Sequence, residues 1–508
     1  MISSTSARTP LALAAVCLAS LMFGLEISSV PVILSVLEQV LHGSFNELQW
    51  VMTAYTLACT SVLMAAGTLA DRFGRKRVFL ISIVMFGVTS LVCGLAQNMA
   101  VLIAARFLQG ISGGIMLIGH ISVLSHLFSD AKQRARAFAV WGVIFGIGLG
   151  FGPIIGGMIL ALLDWKWVFL VHAVVAAVTF VLAYAGVKES SDQEAKSLDF
   201  FGMGTYSVAV FCLVFFITQG PVTGFASTLA LSAIGLSLAG LFAFVMIERH
   251  HPYPMFDFSV FKVRNFSGAM FGSMGMNFCF WPFMIYLPLY FQAALGYSNV
   301  ATGLAVLAYT LPTLIVPPIA EKLTLRFGPG TVIPMGLFII GLGFVFMWLG
   351  SGMENASWLT MLPGAVLAGT GLGLTNTPVT NTATGAVASN RAGMASGIDM
   401  SARLTALAIN IALMGFILIS GVSAHLQSVA QEALSGTTLY SAAERIASGN
   451  LAAIATELPG LSASVIRSAL IHGYGWVLLY GAVSVWILAL CSYLVFRPKQ
   501  LSEKTASA

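Results

Sequence analysis

Apolar runs of about 20 residues, each closed by a polar or Gly/Pro turn, recur along almost the whole chain, and that length is what an α-helix needs to cross a bilayer core. The pattern predicts helices near 11–33, 48–69, 78–97, 99–125, 134–160, 166–187, 200–219, 226–247, 266–292, 300–320, 331–350, 358–382, 394–420 and 469–496, fourteen in all. The first run follows Arg8, outlasts a secretory leader, and carries Glu26 and Pro31 with no cleavage-site pattern, so it reads as the first span. Basic residues fall in alternate connections: the clusters at 72–77, 132–136, 188–196, 249–264 and 322–326, Arg391, and the tail with Arg497, Lys499 and Lys504. With both termini cytoplasmic, 19 of the 24 Lys and Arg lie inside, Lys166, Arg445 and Arg467 lie outside, and Arg106 and Arg403 sit within helices. The positive-inside rule selects that orientation.

Composition narrows the function classes. Of 508 residues, 58% are hydrophobic and 8% charged, with a mean hydropathy of +0.92, against about 25% charged in a soluble domain. The net charge of +5 is dispersed in short topological clusters, so no nucleic-acid partner is expected; the bilayer is. Cys17, Cys59, Cys93, Cys212, Cys279 and Cys491 each stand alone in an apolar segment, which reads as buried small side chains rather than disulfides or metal ligands. No G-x-x-x-x-G-K-[ST], H-E-x-x-H or G-x-S-x-G pattern occurs. An enzyme is therefore not expected, and transport energy must come from a gradient.

The chain repeats itself. RFG at 72–74 recurs at 326–328, and the same offset of 254 residues carries QG at 109–110 to PG at 363–364. Two parallel six-helix halves follow, with a further helix pair inserted between them. The expected organisation is an N-terminal six-helix bundle over 1–187, a cytoplasmic linker and inserted pair over 188–265, and a C-terminal six-helix bundle over 266–508. The last contains a polar, Ala/Ser-rich outer segment at 421–468, which reads equally as a lid or a spacer.

Three motifs carry more than topology: GTLADRFGRKRV from Gly67 to Val78, RFLQGISGG from Arg106 to Gly114, and GIGLGFGPIIGG from Gly146 to Gly157. In this order, and at the second, fourth and fifth helices, they resemble the major facilitator superfamily, specifically its fourteen-helix drug:proton antiporter branch. The resemblance covers essentially the whole chain. GLEISSVP at 24–31 stands where that branch usually carries Asp, so Glu26 is a conservative departure, and SLDFFG at 197–202 resembles the opening of the inserted pair. In the loop motif Gly67 and Gly74 permit a tight turn, Asp71 can accept hydrogen bonds from a helix N-terminus, and Arg72, Arg75, Lys76 and Arg77 hold the loop inside. The resemblance implies a latch between the halves, with partners near 390–393 and with Arg134 and Arg136 also available to Asp71. A purely topological loop is the alternative. Gly148, Gly152, Gly156 and Gly157 around Pro153 allow close helix packing and a bend, and the resemblance adds a hinge and a seal against proton leak.

Two acids lie inside the apolar pattern. Glu26 and Arg106 each fall about seven residues from the predicted outer ends of their helices, about 10 Å deep at 1.5 Å per residue, so they can occupy one layer. An ionised carboxylate in hydrocarbon is costly unless paired or protonated, so Glu26 is expected to face an internal cavity as a proton site. It then exchanges its proton against a cationic substrate or against Arg106, unless the pair only fixes helix packing. Asp399 precedes Arg403 by four residues, and this secondary pair reads equally as a local structural bridge or as part of cation binding. His120 can relay protons or sit neutral and hydrogen-bonded. Asn277, Trp281 and Tyr286 in the ninth helix, with Met22 and Met52, are pocket candidates because aromatic faces and thioethers suit flat lipophilic cations. These readings converge on a monomeric inner-membrane antiporter that exports hydrophobic, cationic drugs or toxic compounds by alternating access, with protons as coupling ion and no cofactor or metal. A dedicated exporter of one metabolite or antibiotic, neutral or anionic, is the alternative. A periplasmic adaptor leaves no readable trace in the chain.

Overall fold

In hydrocarbon a helix satisfies every backbone N–H and C=O within its own segment, and the computed structural model is helical, with no strand among the described residues. It describes residues 3–127, 131–191, 199–251, 256–387, 392–429, 437–449, 451, 454 and 461–497. The first eight helices are α1 Ser3–Leu41, α2 Phe45–Phe73, α3 Arg75–Gly94, α4 Met99–Leu127, α5 Ala131–Leu162, α6 Lys166–Gly186, α7 Phe200–Thr223 and α8 Thr228–His250. There follow α9 Arg264–Phe278, α10 Phe280–Leu289, α11 Asn299–Thr310, α12 Pro312–Ile315, α13 Pro317–Phe327, α14 Pro329–Ser351, α15 Trp358–Gly385, α16 Ala392–Val429, α17 Thr437–Ser448 and α18 Ala463–Phe496. Among the described residues eleven helices are long and apolar enough to cross a membrane, or twelve when the bent stretch from Asn299 to Phe327 counts as one. The chain is an all-helical, multi-pass membrane protein.

Local chemistry sets the element ends. Ser44 and Glu47 form a reciprocal capping box at α2, Asp199 accepts from the Gly202 N–H at the start of α7, and Ser227, Ser298 and Ser462 cap α8, α11 and α18. Prolines set the breaks. The ring of Pro282 opposes the carbonyl of Phe278, where α9 stops, and Pro312 and Pro317 divide α11 to α13, with a 45° bend before Pro317. The first helix does not stop near 33 as the hydropathy pattern predicts. It runs on to Leu41, where His42 at φ 53 and then Gly43 end it. α16 likewise continues past 420 to Val429. Polar residues end an apolar run but do not end a helix.

α1 packs on α5 and α6, α2 on α4, and α3 on α4 and α6, while α14 packs on α15 and α18, and α18 on α9 and α16. α7 and α8 pack on each other, and α7 rests on α2 and α16. Small residues bring α1 and α5 together: a Cβ at Gly148 would lie 2.8 Å from the Leu21 carbonyl oxygen, and one at Gly152 would overlap Ser28 Oγ. Ser28 Oγ in turn donates to the Gly148 carbonyl at 3.0 Å.

The two groups close on each other at the end that carries α17. Gln292 donates to the Val32 carbonyl at 3.2 Å and accepts from Ser35. Gln49 donates to Tyr286 Oη at 3.0 Å, Tyr286 donates to the Ile411 carbonyl at 2.6 Å, and Thr310 donates to the Gly150 carbonyl at 2.7 Å. A Cβ at Gly142 of α5 would meet nothing within 4 Å among the described residues. Of the outer segment at 421–468, α17 is a docked helix that buries Ala442, Ala443, Ile446 and Ala447 against α16, α18 and α2, whereas residues 430–436, 450, 452–453 and 455–460 lie outside the described residues. Burial, with Glu47 nearby, pushes the Glu444 carboxyl of α17 up from its ordinary range.

Candidate functional site

Five helices build one buried polar cluster. α1 contributes Glu26 and α4 contributes Arg106, both fully buried, and the Arg106 guanidinium bonds Glu26 Oε1 through Nη1. The longer α1 places Glu26 farther from the helix end than the apolar pattern predicts, yet the pair forms. Arg106 Nη1 also donates to Gln109 Oε1 at 2.7 Å, one turn along α4, and Nε donates to the Val51 carbonyl of α2 at 2.9 Å. Gln109 Nε2 continues to Ser90 Oγ of α3 at 2.8 Å. The guanidinium carbon lies 4.3 Å from the centroid of the Tyr55 ring and 5.8 Å from that of Phe169.

The fifth helix was not anticipated. His172 of α6, 2% exposed, places Nδ1 2.9 Å from the Val168 carbonyl and 3.4 Å from Glu26 Oε2. The polar atoms Glu26 Oε2, Arg106 Nη2 and His172 Nε2 are buried and make no hydrogen bond among the described residues. Such a cluster has two forms: an ionised carboxylate neutralised by the guanidinium, or a protonated carboxyl that leaves the guanidinium without a counter-charge, held by its hydrogen bonds and aromatic faces. Switching between them moves one proton.

Glu26, expected from the sequence to face an internal cavity, does not line the one between the α1–α6 group and the helices that follow α8. That cavity is narrow and is lined by Ile27, Pro31, Met52, Tyr55, Thr56, Trp281, Met284, Ile285, Leu407 and Ile411. Of the pocket candidates, Met52 and Trp281 line it. Tyr286 belongs instead to the closed seam with Gln49, Asn277 donates to the Ser273 carbonyl at 2.9 Å, and Met22 is buried in the core of the α1–α6 group. His120 lies against Trp141 with ring centroids 5.6 Å apart, and among the described residues its ring nitrogens make no hydrogen bond. The carboxylate retreats from the cavity because Arg106 and His172 meet it on the far side of α1.

The second pair, Asp399 with Arg403, joins three helices rather than lying within one. Asp399 Oδ2 lies 2.9 Å from Arg403 Nη2, and Oδ1 accepts from Ser273 of α9 at 2.6 Å. Arg403 also donates to Asn376 Oδ1 at 2.6 Å and Thr380 Oγ1 at 2.9 Å of α15. Asp399 is 1% exposed. Removing one partner of such a pair leaves a buried charge, so Asp399→Asn is expected to destabilise the protein by about 3 kcal/mol while leaving ligand-driven proton release unchanged. Thermal unfolding and a pH-dye assay on the purified variant check both halves of that expectation, and loss of proton release would return Asp399 to the coupling machinery.

In the loop motif Gly74, at φ 101, links α2 to α3, and a Cβ there would meet the Glu189 carboxylate at 2.7 Å. Glu189 accepts from the Lys76 and Arg77 N–H groups at 3.1 Å each, the helix-capping role that the sequence assigned to Asp71. The side chains of Asp71, Arg134 and Arg136, the surroundings of Gly67 and, in the anticipated partner segment, residues 390–391 and the side chains of 392–393 lie outside the described residues. Arg72 lies over the Phe73 ring, and the Arg75 N–H donates to the Ser190 carbonyl at 2.9 Å. In the fifth-helix motif Gly148, Gly152 and Gly156 face α1, whereas Gly157 faces Asn299 and the Pro153 carbonyl lies against Gly303, both on α11.

Comparison with known proteins agrees with this architecture. The Major Facilitator Superfamily signature matches residues 16–409. The multidrug resistance protein Stp of Mycobacterium tuberculosis (strain CDC 1551 / Oshkosh) is 32% identical over 382 residues, covering 75% of this chain and 71% of Stp. The tetracenomycin C resistance and export protein of Streptomyces glaucescens is 28% identical over 414 residues, covering 81% and 76%. Among solved structures, a bacterial homologue of the human lysosomal transporter Spinster superposes with a TM-score of 0.64 at 13% identity, covering 98% of this chain and 100% of that one. Its likeness concerns the fold.

Proposed function

This chain belongs to the Major Facilitator Superfamily, and from that membership we propose that it is a proton-coupled antiporter exporting hydrophobic drugs or toxic compounds, lipophilic cations among them. The observation that carries the reading is the fully buried Glu26–Arg106 pair, with His172 beside it, one side chain away from a cavity shared by both halves. In this reading fourteen segments cross a bacterial inner membrane with both termini inside, α7 and α8 are the insertion, and the protein works as a monomer with protons as its only coupling ion. The end carrying α17 faces outward in this reading, and the Ser35–Gln292 and Gln49–Tyr286 contacts close it. The ionised, paired Glu26 is then the state left after a proton has departed to the cytoplasm. Drug binds, the halves rock, and outside a new proton on Glu26 releases Arg106 and favours drug release.

The cavity lining refines the exchange. It carries no carboxylate among its described residues, so a bound cation rests on aromatic faces such as Trp281, and the proton on Glu26 exchanges against Arg106 rather than directly against the drug. The same uncharged lining supports a second reading, a dedicated exporter of one neutral ring compound. Reconstituted protein in vesicles with an internal pH dye distinguishes the readings. Adding ethidium or tetraphenylphosphonium under an imposed pH gradient is expected to drive proton movement. Proton-independent flux would sink the antiport reading, and response to a single neutral compound alone would select the second.

A further inference from the structure

We propose that Tyr55 is the positioning residue through which occupancy of the cavity reaches the proton site, by a competition between ligand and Arg106 for its ring. This rests on the antiport reading above and supplies the link that reading lacks, because neither Glu26 nor Arg106 lines the cavity and both are fully buried. One turn of α2 touches both. Met52, Tyr55 and Thr56 line the cavity, while the Val51 carbonyl holds Arg106 Nε and the Tyr55 ring lies under the guanidinium at 4.3 Å.

The Tyr55 backbone is fixed by packing, and its buried ring is the part that meets both sites. A Cβ at Gly110 would lie 2.2 Å from the Tyr55 carbonyl oxygen, so the α2 backbone is seated directly on α4, one turn from Arg106. The Tyr55 hydroxyl is buried and makes no hydrogen bond among the described residues, and the Phe23 ring lies 6.3 Å away at a tilt. Tyr55 therefore acts through its π face rather than its hydroxyl. The other groups facing the Glu26 carboxyl are Arg106 from α4 and His172 from α6; α3 reaches it through Gln109, with Cys93 behind, and α5 presents Gly148 and Gly152 to α1. When Glu26 is protonated, Arg106 has lost its counter-charge and depends on the Tyr55 face, which withdraws that face from the cavity. When a flat apolar or cationic ligand takes the face, Arg106 depends on the Glu26 carboxylate, and the carboxyl releases its proton. Proton and ligand exclude each other without touching, which is a reciprocal coupling of two sites.

The test uses full-length purified protein in detergent, tetraphenylphosphonium as probe, calorimetric affinity, and a pH dye in weak buffer. Wild type and Tyr55→Phe are expected to release protons on binding, with an affinity that rises with pH. Tyr55→Leu is expected to bind still, but with the protons released per ligand reduced by about fivefold or more, and with an affinity nearly independent of pH. Equal release from Tyr55→Leu and wild type would overturn the relay, as would loss of release in Tyr55→Phe. No release from wild type would instead sink the antiport reading itself. Thermal unfolding verifies the fold, and Tyr55→Met, which fills the site without a π face, gives the same ratio if the Leu variant is unstable.

Discussion

Glu26→Gln is expected to abolish proton-coupled efflux, lowering it about 100-fold, the upper range of a coupling energy between two sites. The substitution keeps the shape of the carboxyl and removes its titration, which imitates the protonated state permanently. Arg106, fully buried, then has no counter-charge and is held by Val51, Gln109 and the Tyr55 ring. A transporter locked in that form still binds drug, more weakly, and exchanges it downhill, but extracts no work from a proton gradient. Drug accumulation in a host without its own pumps, with drug counterflow in vesicles, separates these activities. Efflux at wild-type level would reduce the Glu26–Arg106 pair to helix packing. The adjacent imidazole gives a finer readout. His172→Asn removes the group 3.4 Å from Glu26 Oε2, so it is expected to preserve efflux and displace its pH profile.

Gly157→Val is expected to disable the pump by a different route, holding open the end that carries α17. A Cβ at this position would stand 2.5 Å from the Asn299 carbonyl oxygen of α11. A backbone oxygen cannot swing aside as a side chain can. Overpacking of this kind costs about 1–3 kcal/mol, and here it falls only on the arrangement in which α5 and α11 are closed. That corresponds to a factor of about 5 to 150 in the closed population. The measurement is labelling of Ser35→Cys, in a background with the six native cysteines replaced, by a membrane-impermeant maleimide. Ser35 is hydrogen-bonded to Gln292 in the closed seam, so labelling should rise and efflux fall together. Unchanged labelling would mean that α5 and α11 do not form the gate.

The amino-acid pattern by itself determined an apolar, repeatedly membrane-crossing helical chain, the first-helix acid, its arginine partner, and the family likeness carried by the glycine motifs. These are local properties: the length of an apolar run, a charge that hydrocarbon does not tolerate alone, and short motifs in order. Helix ends were less legible, because Glu38 and Gln39 interrupt hydropathy without breaking hydrogen bonds, so α1 runs on to Leu41. Only the tertiary structure decided which side of each helix faces what. His172 sits in FLVHAVVAAV, which is apolar on every side and gives no rotational preference, so nothing in that run points the imidazole at Glu26. The same indeterminacy hid Tyr55 behind Arg106, moved Tyr286 from the pocket to the seam, and turned Glu26 away from the cavity. Composition determines whether a segment enters the membrane, whereas helix rotation depends on contacts between residues far apart in sequence. The buried cluster of Glu26, Arg106 and His172 is made of such contacts.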